Sequence, residues 1–226
     1  MNGYEIVDNS KLDNHITFIR INPTDIKVTL REVFNSIANM AWISSFDEDY
    51  IKDGFKVRAE ATIDYISKNI IKSNEDKVTK DSGECLVSEL ARKTVVDELK
   101  YLDIPLGELI KEKDIGNHGF DFFSKNKDNV LLFGEAKYVA TQNAYGKALK
   151  QIVSFIGKKD ASDVIAIDKF CCEDSKRNFA VGNKGFMAAF AAKTTSTKKI
   201  IEGIQANTDF QELSKYNELI CIAVNV

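Results

Sequence analysis

The chain has 226 residues, 44% hydrophobic and 29% charged, with two prolines and no apolar run approaching the ~20 residues of a membrane span. Its net charge of −3 hides a split: residues 1–120 carry 16 Lys and Arg against 22 Asp and Glu, while residues 121–226 carry 15 against 12. These figures exclude disordered, collagen-like and coiled-coil chains, and argue against a protein that grips nucleic acid unaided by neutralising phosphates.

The N-terminus, MNGYEIVDNSKLDN, has neither the positive segment nor the apolar stretch of a secretory signal, so a cytoplasmic location is expected. Four cysteines without a CxxC pair, and only two histidines, supply a zinc site poorly. Residues 15–22 predict a strand with Ile16 and Phe18 inward. Leu30, Val33, Phe34, Ile37, Ala38 and Ala41 predict a helix over 25–43, with Trp42 and Phe46 following as packing residues. A second helix is predicted over 58–71, with Ile63, Ile66 and Ile70 on one side. The polar stretch SNEDKVTKDSG (73–83) predicts a loop and a boundary. Residues 1–80 are read as an N-terminal α+β extension, suited to a partner-binding surface or to packing on the remainder. Residues 81–226 are read as the domain that carries the chemistry.

A helix is predicted over 84–102. GFDFF (119–123) opens a strand, SKNKDN (124–129) is turn chemistry, and VLLFGEAKYV (130–139) is a second strand, which together predict a hairpin. A helix over 142–157 places Ala144, Ala148, Ile152 and Phe155 on one face. VIAI (164–167) predicts a short buried strand, and residues 176–193, rich in Ala and Phe, a helix. Ile200, Ile201 and Ile204 begin another helix, and LICIAV (219–224) is the closing strand. The alternation from residue 84 onward predicts an α/β fold, a small mixed sheet flanked by helices.

Asp121, Glu135 and Lys137 are the informative residues. Asp121 interrupts an apolar strand, between Phe120 and Phe122. Glu135 and Lys137, at i and i+2 on the next strand, point to one face. Pairing of the two strands brings Asp121 near Glu135. Two unpaired carboxylates together force one pKa upward, and a divalent cation relieves that conflict. Carboxylate oxygens suit Mg²⁺ or Mn²⁺. Such a cation polarises a phosphate oxygen, and Lys137 beside it offsets developing charge, so phosphodiester hydrolysis is the expected reaction. The alternative is a solvated Glu–Lys pair of no chemical consequence.

Plotted at about 100° per residue, Val87, Ala91, Val95, Leu99 and Leu102 cluster around Glu84. Glu84 therefore falls on the buried stripe at the start of its helix, where it needs a partner or the favourable helix dipole. Glu89 falls toward solvent. Glu98 lies near the stripe but far along the helix, and reads as partly exposed.

A helix with Glu84, a strand with Asp121 and then Glu135-Ala136-Lys137 resembles the PD-(D/E)xK nuclease superfamily. The separation, D-x13-E-x-K, falls in that family's usual range, and the order of elements over residues 82–170 resembles its α-β-β-β-α-β core, with 163–168 as the last strand. The conventional proline is replaced by Phe120. The stretches Gly83-Glu84, His118-Gly119-Phe120-Asp121 and Gly134-Glu135-Ala136-Lys137 resemble more narrowly the HamA family, nuclease subunits of the Hachiman anti-phage defence system that work with a helicase, HamB. The resemblance implies that Asp121 and Glu135 bind Mg²⁺ or Mn²⁺, that Lys137 is the catalytic lysine, that Glu84 is a fourth site residue and metal ligand, and that the Ala136 carbonyl completes the metal shell. It also implies a helicase partner whose binding restrains the nuclease until DNA damage or phage replication intermediates appear.

An acidic chain suits a nuclease to which a partner delivers DNA. Lys147, Lys150 and Lys158 share one face of the helix after the E-x-K strand, either as phosphate contacts or as a solvated face. Gln142 and Tyr145, and more weakly Gln151, are candidates to line the cleft. His118 reads as a loop histidine rather than a base. The rival readings are a stand-alone restriction-type endonuclease and a non-catalytic interaction subunit on a nuclease fold.

Overall fold

The computed structural model describes residues 3–68, 80–111 and 119–226. The chain opens with an antiparallel pair, β1 (Tyr4–Asp13) and β2 (Ile16–Pro23). The second was expected. The first was not, because its half-buried residues, Tyr4, Ile6, Asp8, Ser10 and Leu12, mix apolar with polar and blur the alternation that marks a strand.

Helix α1 (Ile26–Ala38) begins where the Asp25 carboxylate accepts the N–H groups of Lys27 and Val28. It stops short of the predicted residue 43, and a 3₁₀ turn at Ala41–Ser45 follows. Helix α2 (Asp49–Ile66) starts earlier than predicted and buries Ile51, Phe55, Ala59, Thr62 and Ile66 along one stripe. Trp42, Phe46, Phe55 and Phe170 pack as a ring cluster, which makes Trp42 and Phe46 packing residues as expected.

Helix α3 (Lys80–Leu99) takes in the end of the stretch predicted as a loop; residues 69–79 lie outside the described residues. The short α4 (Gly107–Ile110) precedes the hairpin of β3 (Phe122–Lys125) and β4 (Leu131–Lys137); the hairpin is as predicted, but its first strand starts after Asp121 and takes in Ser124 and Lys125, which the sequence reads as turn. Then come α5 (Tyr145–Phe155), α6 (Asp160–Ile167), α7 (Glu173–Ala180), β5 (Lys184–Ala192), α8 (Thr197–Gln205), α9 (Thr208–Leu213) and β6 (Glu218–Asn225).

The six strands form one mixed sheet in the order β1-β2-β6-β5-β4-β3. The inner four, β2, β6, β5 and β4, are mutually parallel, and each edge strand is antiparallel to its neighbour. The fold is thus α/β, a mixed sheet flanked by helices. Because β2 lies against β6, the N-terminal residues belong to the same sheet as the residues after 80. Among the described residues no helix is long and apolar enough to cross a membrane.

Two predicted elements exchange their types. VIAI belongs to helix α6, which carries Asp160 and Asp163 in its first turn, and not to a strand. A run of four apolar residues has no period of its own, so neighbours decide its form. Conversely, KGFMAAFAA is β5, a central strand, and not part of a helix running to 193. Its alanines favour helix in isolation, but the strand is buried along nearly its whole length, with α3 and α5 both against it. Strands covered on both faces lose the polar alternation by which strands are recognised. The α-β-β-β-α-β order expected over residues 82–170 is therefore not what is seen. Two strands separate α3 from α5, and the next parallel strand is β5.

Candidate active site

All four parallel strands end at one edge of the sheet, where β4 finishes at Lys137 and β5 at Ala192. Because β3 runs the other way, its start reaches the same edge, and the register Phe122↔Gly134 sets Asp121 beside Glu135. Ligands of open α/β sheets bind outside such carboxyl ends.

The backbone of Asp121 is held on both sides. Its N–H donates to the Gly134 carbonyl at 2.8 Å, and its carbonyl accepts the Gly107 N–H at 2.7 Å. Its side-chain Oδ2 accepts the N–H of Ala136 at 2.8 Å. Glu135 is 1% exposed. Lys137 Nζ lies 2.6 Å from Glu135 Oε1, while Glu135 Oε2 is buried with no hydrogen-bond partner. Strand alternation puts Phe133, Glu135 and Lys137 on one face, with the register partners Phe186, Ala188 and Phe190. Phe133 packs on Phe186, and Tyr145 of α5 stands edge-on to Phe190.

Burial raises the Glu135 carboxyl above the usual carboxylate range, and the neighbouring Asp121 raises it further against the pull of Lys137. Burial likewise raises Asp121, opposed by Lys137 and the Ala136 N–H. Burial alone would lower Lys137, but Glu135 and Asp121 outweigh it and raise its pKa. Two carboxyls held above their normal range, one with an orphaned oxygen, form an oxygen donor set that a small hard cation satisfies. Mg²⁺ is commonly held by one or two carboxylates, with waters and phosphates completing its shell.

The sequence-predicted residues fare differently. Asp121, Glu135 and Lys137 come together as expected. Glu84, in the first turns of α3, is half-buried, and its charge is a lesser contributor to the field at Glu135 and Lys137. Among the described residues no group of three or more His, Cys, Asp or Glu is gathered as a metal cluster, so the expected third carboxylate ligand does not close on the pair. Beside Glu84, the backbone at Gly83 approaches the Tyr138 ring so closely that a Cβ there would lie 2.3 Å from it. Of Ala136, the structure places its N–H on Asp121. Glu98 is exposed as expected.

Glu89 is a correction. It is 1% exposed rather than solvated, because α1 covers that side of α3. Arg92 donates to both its carboxylate oxygens, at 2.8 and 2.7 Å, and also reaches Ser36 of α1 and Asp103.

Lys147 and Lys150 are exposed on α5, but Lys158 lies past the end of that helix, beside Gly157 with its positive φ of 72°. The three therefore do not share one helical face. Gln142 is exposed and Gln151 half-buried; His118 lies outside the described residues. Sequence reasoning missed Glu108 of α4, whose charge helps raise Asp121. The tertiary bond from the Gly107 N–H to the Asp121 carbonyl helps to bring it there, and no periodicity announces it. No protein-family model matches the chain, and no curated protein matches it.

Proposed function

We propose that this chain is a Mg²⁺- or Mn²⁺-dependent deoxyribonuclease of the PD-(D/E)xK kind, acting on phosphodiester bonds. One observation carries the reading: Asp121, immediately before β3, and Glu135 of β4 meet at the carboxyl edge of the sheet with Lys137 on Glu135 and one Glu135 oxygen unpaired. Asp121 and Glu135 would hold the cation, which when bound would supply Lewis-acid polarisation of a phosphate oxygen.

This chain's own residues do the rest. The Ala136 N–H fixes the direction of the Asp121 carboxylate. Lys137, 16% exposed, stays protonated beside the two acids and presents an N–H donor to an attacking water and to charge developing on the phosphate. The buried surroundings of Glu135 exclude bulk water and strengthen these interactions. Exposed Lys147 and Lys150, and separately Lys158, offer contacts to the DNA backbone.

The proposal extends to the narrower resemblance: a cytoplasmic effector subunit of an anti-phage complex, HamA-like, to which a HamB-like helicase delivers DNA. Its support is the acidic overall charge, which suits a nuclease that depends on a partner for its substrate.

The test uses supercoiled plasmid, linear duplex and single-stranded DNA, with and without Mg²⁺. Cutting that needs metal and disappears in a Glu135→Ala/Lys137→Ala variant supports the reading. Discrete fragments point instead to a site-specific endonuclease, and a smear to a degrading effector. Equal cutting by both proteins removes Glu135 and Lys137 from the mechanism.

A further inference from the structure

The peptide units around Phe120 are held by two charged side chains from outside the hairpin. Asp163 Oδ2, on α6, accepts the Phe120 N–H at 2.7 Å. Lys111 Nζ donates to the Phe120 carbonyl at 2.5 Å and lies 3.3 Å from Asp163 Oδ1. Asp163 is 3% exposed. The clamp demands glycine next door, since a Cβ at Gly119 would stand 2.3 Å from Asp163 Oδ1. With the two bonds on the Asp121 backbone, every main-chain polar group of residues 120 and 121 is engaged. A buried ion pair is weak evidence for stability as such, since desolvation offsets its attraction. Here the pair's remaining bonds converge on the residue before Asp121.

We propose that Asp163 and Lys111 are positioning residues that set the place of the Asp121 carboxylate beside Glu135. The inference rests on the reading of Asp121 and Glu135 as a cation site. Neither Asp163 nor Lys111 belongs to the proposed ligand pair, although the Lys111 charge also favours the ionised form of Asp121. They act through the Phe120 backbone, as partners beyond the ligands orient metal sites elsewhere.

Asp160 supplies the control. It lies on the same helix, is 1% exposed and pairs with Lys184 of β5 at 2.5 Å, away from Phe120. Mn²⁺ binding is measured by calorimetry on the full chain and on Asp121→Asn, Asp163→Ala, Asp163→Asn, Lys111→Met and Asp160→Ala, each checked by circular dichroism. Wild type is expected to bind, and Asp121→Asn to fail. Asp163→Ala and Lys111→Met are expected to lose about tenfold or more in affinity, the scale for outer partners of metal sites. Asp163→Asn keeps an acceptor for the Phe120 N–H and is expected to recover most of the loss. Asp160→Ala is expected to melt earlier yet bind as wild type does. Should Asp163→Ala fail to fold, Lys111→Met and Asp163→Asn carry the comparison. Folded Lys111→Met and Asp163→Ala proteins that bind as wild type overturn the clamp and leave the site reading intact. An equal loss in Asp160→Ala also overturns it, as general loosening. A wild type that binds no Mn²⁺ overturns the site reading and the clamp with it.

Discussion

Asp121 Oδ2 and the Ala136 N–H are joined by a 2.8 Å hydrogen bond. That bond ties the carboxylate just before β3 to the residue that separates Glu135 from Lys137 on β4. A backbone donor favours the charged form of Asp121, while burial disfavours it, and burial wins. The site is therefore held in a tension that its own residues only partly relieve.

The tension has a pH signature. Folding raises the carboxyls of Asp121 and Glu135, burial being the main cause for both. From about pH 4, the ordinary carboxylate range, up to those raised values, the folded chain holds protons that the unfolded chain has released. Stability falls as pH rises through that window. In chelator, Glu135→Gln is expected to melt above wild type, by a margin wider at pH 8 than at pH 5.5. A margin that shrinks at pH 8 contradicts this account.

Lys137→Met keeps an unbranched stem and removes the ammonium. It also frees Glu135 Oε1 from its 2.6 Å pair. Cleavage under single-turnover conditions is expected to fall about 100-fold or more, the scale for losing one preorganised donor. Mn²⁺ affinity measured by calorimetry is expected to hold or tighten. A parallel loss of both would make Lys137 structural.

Arg92→Ala leaves the Glu89 carboxylate buried without its two donors. Breaking a buried pair by removing one partner costs about 3–5 kcal/mol. Urea unfolding is expected to show a loss on that scale, and a loss below about 1 kcal/mol would mean that Glu89 finds other partners or a proton.

Lys147 and Lys150 are exposed on one helix. As phosphate contacts they set part of the salt dependence of DNA binding. A Lys147→Gln/Lys150→Gln variant is expected to lower the slope of log affinity against log salt by about 2 for duplex DNA. An unchanged slope would assign them to a solvated face.

Where the side-chain pattern was local, the sequence was enough to read it. The hairpin, the helix at Glu84, the helix after E-x-K and the closing strand all carry their period, and so does the convergence of Asp121 with Glu135 and Lys137. What escaped depends on neighbours distant in sequence. Glu89 sits on the polar side of its helix until α1 covers that side and Arg92 neutralises it. Gly107, Lys111 and Asp163 reach the Phe120–Asp121 backbone from the α4 region and from α6, through bonds no spacing foretells. The plainest case is the exchange between α6 and β5. Residues 184–192 are rich in alanine, which in isolation favours helix. They become a strand because β4 and β6 offer ladders on both sides and helices cover both faces. The amino-acid order alone singled out Asp121, Glu135 and Lys137 as the candidate site. Only the packed sheet decided what holds them in place, because burial and long-range hydrogen bonding override local preference wherever a segment lies at the centre.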